Sequence, residues 1–259
     1  MPTLILLRHG QSEWNQQNLF TGWYDCDLTD IGIKEALHAG ELLRAAELIP
    51  DVTYSSLQKR AIKTAELVNQ SLNKKIPIHK NWRLNERHYG DLTGLNKSDA
   101  KLKFGEEKIQ EWRRSYNTPP PPISPENHFN PNGDDTYINV PKESIPLSEC
   151  LADVVDRLIP YWDSDISADL KSGKKVLISA HGNSLRALCK YLDKIEDKEI
   201  VKLNIPTGMP FIYELDDELN PKIKKPVLER AIDPENARTQ AESVENLSLI
   251  HISEPTRPY

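Results

Sequence analysis

Leu4-Ile5-Leu6-Leu7, running into Arg8-His9-Gly10, and Val176-Leu177-Ile178, running on to His181-Gly182-Asn183, decide the fold of this chain. Each is a short apolar run that ends at a histidine followed by glycine. Runs of this length, rich in branched side chains and bounded by turn residues, suit parallel strands covered on both faces. In open α/β sheets, ligand sites collect beyond the carboxyl ends of such strands. The pattern therefore predicts two imidazoles, beside Arg8, at the ligand-binding end of one sheet.

The surrounding sequence alternates strand and helix signals. Ser12 to Asn15 predicts the opening turn of a helix, and Asp30 is placed to cap a helix carrying Ile33, Ala36, Leu37, Gly40 and Leu43 on one face. Val52-Thr53-Tyr54 predicts a strand, followed by a helix through Ala61, Thr64, Ala65 and Val68, and Ile76 to Ile78 is a weaker strand. Short helices are expected around Ser98 to Phe104 and Glu106 to Tyr116, and helical spacing resumes from Leu147 to Tyr161. After the second histidine strand come a helix from Ser184 to Leu192 and a last strand near Pro210 to Leu215. The expected architecture is α/β, a three-layer, mostly parallel sheet flanked by helices.

One domain over residues 1–236 accounts for these signals. It carries a Pro-rich loop at 118–146, of a length that is usually functional or mobile, with its extra length read as a surface difference, and is followed by an irregular tail at 237–259. Leu247 to Arg257 looks like the in-frame translation of a transposase sequencing-library adapter. Residues 247–259 are accordingly set aside as an assembly artefact, with the natural C-terminus expected to be lost.

At 259 residues the chain can bury a substantial core, and 38% hydrophobic with 28% charged residues is an ordinary soluble composition. No apolar stretch nears the roughly 20 residues of a membrane span, and no secretory leader opens the chain. Cys26, Cys150 and Cys189 are scattered without zinc spacing, so a cytoplasmic location is expected, with the thiols acting as small hydrophobes. A net charge of −6 argues against nucleic acid. An anionic ligand would need positive charge gathered locally.

Neutral imidazole is a good nucleophile near pH 7 and leaves well from phosphorus, so His9 is suited to carrying a phosphoryl group. Gly10 permits a sharp turn, and Arg8 offers a rigid fork to phosphate oxygens. Phosphoryl transfer needs its equatorial charge neutralised. With no Walker-type loop or aspartate cluster for magnesium, arginines are the expected substitute: Arg60 at a helix start, Arg113 with Arg114, and Lys97 after Gly94. A core histidine, or a solvated surface charge, is the plain alternative for each of these taken singly.

Together the motifs resemble a family. Leu7-Arg8-His9-Gly10, Ser12-Glu13-Trp14-Asn15, Phe20-Thr21-Gly22-Trp23, Leu57-Gln58-Lys59-Arg60-Ala61, Leu84-Asn85-Glu86-Arg87-His88-Tyr89-Gly90, Gly94-Leu95-Asn96-Lys97, Trp112-Arg113-Arg114 and Ala180-His181-Gly182-Asn183-Ser184-Leu185-Arg186 are similar to the cofactor-dependent phosphoglycerate mutases of the histidine phosphatase superfamily. Ile205-Pro206-Thr207-Gly208 is similar too, and the resemblance runs from the first strand to about Leu215.

The resemblance implies a glycolytic and gluconeogenic isomerase that moves a phosphoryl group between the 3- and 2-hydroxyls of glycerate. His9 becomes phosphohistidine, 2,3-bisphosphoglycerate is the primer, and no metal is needed. By the same resemblance Arg8, Arg60 and His181 grip the phosphoryl group, with Asn15 and the Gly182 amide assisting. Glu86 exchanges a proton with the substrate hydroxyl, a role expected to need an apolar or anionic setting. Ser12, Thr21, Gly22, Tyr89, Lys97, Arg113, Arg114 and Asn183 match positions around the substrate, and a homodimer is an arrangement common among relatives.

Departures are few. Gln11 stands where many members have glutamate, with a modest effect expected, and the pattern after Lys225 is hard to follow. A tail is thought to close over the site in this family. Its loss would admit water and favour hydrolysis of phosphohistidine over transfer. The alternatives are a bisphosphoglycerate mutase or broad phosphomonoesterase with the same chemistry, and a catalytically silent binding module on the same fold.

Overall fold

A computed structural model of the protein describes residues 1–246. The adapter-like stretch at 247–259 lies outside the described residues. Strand β1 (Thr3–Arg8) leads into a single turn, α1 (Glu13–Gln16), and then α2 (Asp30–Ala45). The chain continues through β2 (Val52–Ser55), α3 (Lys59–Leu72) and β3 (Ile78–Lys80). An excursion carries α4 (Lys97–Phe104) and α5 (Glu106–Arg114). There follow α6 (Leu151–Tyr161), α7 (Ser167–Lys171), β4 (Lys175–Ala180), α8 (Gly182–Asp193), α9 (Asp197–Ile200), β5 (Pro210–Glu214) and α10 (Pro234–Asn246).

The five strands form one sheet in the order β3-β2-β4-β1-β5, parallel except for β5. Successive side chains of a strand point to opposite faces, and β1 uses both. Leu4 and Leu6 share a core with Val176, Ile178, Leu158, Leu185 and Leu188, while Ile5 and Leu7 pack with Leu177, Ala39, Leu43 and Val68. Helices α2 and α3 therefore cover one face, and α6, α7 and α8 the other. Burying each such Leu or Ile stabilises the fold by about 1.5–3 kcal/mol, which is why both strands read as unbroken apolar runs.

The helix after β1 lies on one face and the helix after β4 on the other. Between these adjacent strands a crevice opens at their carboxyl ends. Register brings Arg8 opposite Ala180, and the His9 amide donates to the Ala180 carbonyl at 2.9 Å.

Several expectations shift locally. The cap of α2 is Thr29, whose hydroxyl accepts from the Gly32 amide, and Asp30 is the first helical residue. The tail read as irregular from 237 is helical to Asn246, and Ala237 is buried in the main core. The Pro-rich segment is not merely a surface feature. Ile123, Tyr137 and Val140 are buried, and Tyr137 and Val140 pack with Trp23. Proline runs and isolated apolar residues carry no periodicity, so the sequence gives no sign of this packing.

Candidate active site

The turn after β1 sets the position of His9. A Cβ on Gly10 would lie 2.1 Å from the Gly32 carbonyl oxygen, and one on Gly32 would lie 2.1 Å from that of Gln11. Only two glycines let the turn rest against the start of α2. The Gly10 amide is held by Thr64 Oγ1 at 3.1 Å, and that hydroxyl donates to the Arg60 carbonyl at 2.8 Å.

His9 Nδ1 lies 2.7 Å from the Gly10 carbonyl oxygen, which can only accept. The proton therefore sits on Nδ1, and the lone pair of the neutral ring is on Nε2. Burial first, then Arg60 and Arg8, hold His9 well below its usual range, so the ring is neutral at pH 7. That is the nucleophilic form.

His181 stands beside it, ring centroids 5.0 Å apart and edge to face. Its Nε2 shares a 2.7 Å hydrogen bond with Ser56 Oγ, and its Nδ1 is buried without a partner among the described residues. Burial, then Arg60, His9 and Arg8, push it well below the ordinary value.

Arg60 reaches in from α3, donating to the carbonyls of Tyr24 (2.9 Å) and Gly22 (3.0 Å). Arg8 donates to the Ile205 carbonyl at 2.7 Å, and its buried Nε has no partner among the described residues. Across the crevice, Glu86 Oε1 accepts from the amides of Arg87 (2.8 Å) and Asn183 (3.1 Å). This is a donor-rich setting, not the apolar or anionic one expected. The salt bridge with Arg83 or Arg87 that would make Glu86 ordinary is not formed. Arg83 stacks on Trp82, and Arg87 donates to the carbonyls of Trp112 and Arg113, both at 3.1 Å. Arg87 thus caps the carboxyl end of α5, where carbonyls lack helical partners, and so seats Arg113 and Arg114.

These groups enclose a small pocket of about 120 Å³, well below the several hundred Å³ of a drug-sized site. Among the described residues Arg8, Arg60, Lys97, Arg113, Arg114 and Arg186 line it, against the single carboxylate of Glu86. In a chain of net charge −6 this is the local concentration of positive charge that an anionic ligand requires. The cations depress one another. Burial, then Arg113, Arg8 and Arg114, bring Lys97 down to about 7; burial, then Arg114, bring Arg113 to about 10; and burial, then Arg114 and Arg87, bring Arg186 to about 9. Burial works to raise the Tyr89 phenol, but Arg87 and Arg113 outweigh it and the net direction is down.

All the expected site residues line this pocket except Ser12, Gly22 and His181. Ser12 is fully buried and caps α1, exchanging 3.2 Å hydrogen bonds with Asn15, so it orients Asn15 from behind the wall. Gly22 presents its carbonyl to Arg60 and Gln58, and His181 backs His9. The Gln11 side chain turns to the Thr29 hydroxyl at 2.9 Å and does not line the pocket.

Sequence reading missed Gln58, Arg186 and Asn204. Buried Gln58 donates to the Gly22 carbonyl and accepts from the Glu86 amide, both at 2.9 Å. Arg186 donates to Asn183 Oδ1 at 2.8 Å. Gln58 and Arg186 stood inside quoted motifs, but nothing in their spacing marks them. Among the described residues no group of three or more His, Cys, Asp or Glu could hold a metal ion.

The sequence profile of the histidine phosphatase superfamily (branch 1) matches residues 4–223. The chain is 55% identical over 245 residues to a 2,3-bisphosphoglycerate-dependent phosphoglycerate mutase of Rhodococcus jostii, covering 94% of this chain and 96% of that protein. It is 52% identical over 244 residues to the one of Cutibacterium acnes, covering 94% and 97%. Among solved structures it is similar to Bacillus stearothermophilus YhfR, with a TM-score of 0.65 at 24% identity, covering 85% of this chain and 94% of that one. This last likeness speaks for the fold alone.

Proposed function

The chain belongs to branch 1 of the histidine phosphatase superfamily, and we propose from that premise that it interconverts 3-phosphoglycerate and 2-phosphoglycerate through a phosphohistidine at His9. It is an isomerase of the 2,3-bisphosphoglycerate-dependent kind, and it serves glycolysis and gluconeogenesis. The observation that carries this reading is His9 itself: buried, neutral, with Nδ1 tied to a carbonyl and Nε2 left to attack.

The residues fit a bis-phosphorylated glycerate. Six cations line the pocket, and among the described residues Arg8 Nε in its wall is buried without a partner, which a phosphate oxygen would supply, while the equally unpaired His181 Nδ1 lies behind the wall beside His9. Arg8, Arg60 and His181, aided by Asn15 and the Gly182 amide, would hold the phosphoryl group being transferred. Thr21, Tyr89, Lys97, Arg113, Arg114 and Asn183 would hold the glycerate with its other phosphate. When bound, 2,3-bisphosphoglycerate supplies the phosphoryl group that loads His9.

On accepting a phosphoryl group, His9 Nε2 forms the N–P bond as the P–O bond to glycerate breaks. Glu86 gives the departing oxygen its proton. On donating, Glu86 takes the proton of the accepting hydroxyl as its oxygen attacks phosphorus and the N–P bond breaks. Glu86 is regenerated over each pair of steps, and a bound polyanion would supply the anionic surroundings missing from the protein walls. Three buried free cysteines fit a reducing cytoplasm, and no helix among the described residues is long and apolar enough to cross a membrane.

The test is to incubate the protein with 2,3-bisphosphoglycerate, assay acid-labile phosphate, and follow 3-phosphoglycerate conversion with and without that primer. His9→Ala should remove the label and lower turnover by about 10⁴-fold or more. Full turnover without primer, or a label that survives His9→Ala, would overturn the reading.

A further inference from the structure

Glu86 sits in a loop, yet proton transfer demands a carboxyl placed to within a fraction of an ångström. Its backbone is held from both sides. The amide donates to Gln58 Oε1 at 2.9 Å, and the carbonyl accepts from Arg157 Nη2 at 3.0 Å.

Arg157 comes from α6, outside the pocket, and its side chain is 8% exposed. Its guanidinium also donates to the carbonyls of Arg83 (2.7 Å) and Asn85 (3.0 Å), gathering three carbonyls of one loop on a single planar group. Glu149, 3% exposed, meets it at Nε (2.6 Å) and Nη2 (3.1 Å). The same carboxylate accepts from the His88 amide at 2.7 Å, and the Glu149 amide donates to the His88 carbonyl at 2.9 Å. The pair therefore grips residues 83, 85, 86 and 88 around the proposed proton carrier.

A buried ion pair is a poor device for stability, since desolvation offsets most of the attraction. Hydrophobic residues of similar volume would fill the space as well, but they could not hold carbonyls and an amide in fixed positions. We propose that Arg157, braced by Glu149, is a positioning residue for this reaction, fixing the loop so that the Glu86 carboxyl meets the substrate hydroxyl. The inference rests on the reading of Glu86 as acid and base.

A double-mutant cycle separates positioning from general support. Glu86→Gln alone should lower mutase kcat by about 100-fold or more, the usual worth of a general acid–base. Arg157→Lys keeps the charge but cannot span three carbonyls, and should lower kcat about tenfold while KM for 3-phosphoglycerate moves less than about twofold. In the Glu86→Gln background Arg157→Lys should change kcat less than about twofold. An equal loss in both backgrounds would overturn the proposal, as would an unchanged kcat in Arg157→Lys alone. Should Arg157→Lys not fold, Glu149→Gln runs through the same cycle with the same criteria. An undiminished kcat in Glu86→Gln would instead sink the assignment of Glu86, a result distinguishable from failure of the brace.

Discussion

His9 and His181 stand at the ends of adjacent parallel strands, where the ladder fixes their backbones and the His9 amide donates to the residue before His181. Glu86, Lys97, Arg113 and Arg114 stand on the excursion between β3 and α6, which carries no strand of the sheet. There the backbone is held by buried side chains: Gln58 and Arg157 on the Glu86 loop, and Arg87 on the end of α5. The proposed nucleophile is thus built on sheet hydrogen bonds, and the groups proposed to handle substrate on side-chain hydrogen bonds. A backbone ladder tolerates substitution of side chains, whereas a side-chain brace fails with one change.

Breaking the strand side requires an attack on the backbone, and the largest effect is expected there. Gly10→Ala puts a methyl 2.1 Å from the Gly32 carbonyl oxygen, so the turn after β1 must move. We expect a loss of about 3 kcal/mol, or roughly 6–12 °C in Tm for a chain of this size, together with loss of His9 labelling. Gly182→Ala is the control. Its Cβ would meet nothing nearer than Arg8 at 3.6 Å, so Tm should stay within roughly 3 °C. Equal Tm values for the two variants, measured by calorimetry, would show that the turn is not under the constraint described.

The same contrast governs what could be read from the chain alone. Both histidine strands were legible because continuous apolar runs follow from burial on two faces, and Arg60 because it opens a periodic helix. Glu86 was placed by resemblance to a family, not by any pattern of its own. Gln58, Arg157, Glu149 and Arg186 escaped notice because a buried polar side chain in a loop, or on a helix, is spaced like a solvated one. Their significance lies in which carbonyl or amide they face, and that is decided by contacts between distant segments. The packing of the Pro-rich segment is hidden for the same reason: Tyr137 touches residue 23, more than a hundred positions away.

On the substrate side, Lys97 sharpens the comparison through pH. Burial, and then Arg113, Arg8 and Arg114, push its ammonium down to about 7, so it is charged below that pH and neutral above it. A neutral amine loses its charged hydrogen bond to a phosphate or carboxylate oxygen, worth about 1.5 kcal/mol or more. Wild-type kcat/KM should therefore fall about tenfold between pH 7 and 9. Lys97→Arg, charged throughout, should flatten that limb, although its bulkier head lowers the plateau. Loading of His9 from subsaturating 2,3-bisphosphoglycerate, whose second phosphate Lys97 is proposed to hold, should follow the same limb. A wild-type profile level from pH 7 to 9 would remove Lys97 from the binding set.

The smallest effect is expected at Tyr137, and it asks whether the Pro-rich segment supports the site or merely covers it. The Tyr137 hydroxyl donates to the Trp23 carbonyl and accepts from Gln58 Nε2 at 3.4 Å. Gln58 in turn holds the Gly22 carbonyl and the Glu86 amide. Tyr137→Phe keeps the ring packed against Trp23 and removes only the hydroxyl, leaving one buried carbonyl unpaired at a cost of about 1 kcal/mol. If the segment is a cover, Tm falls by roughly 2–4 °C and kcat is unchanged. If it reaches the site through Gln58, kcat falls as well, by about two- to threefold, because the brace on the Glu86 amide loosens while that on its carbonyl remains. The chain from Tyr137 to Gln58 to Glu86 favours the second outcome, and kinetics at saturating 3-phosphoglycerate set beside a melting curve distinguish the two.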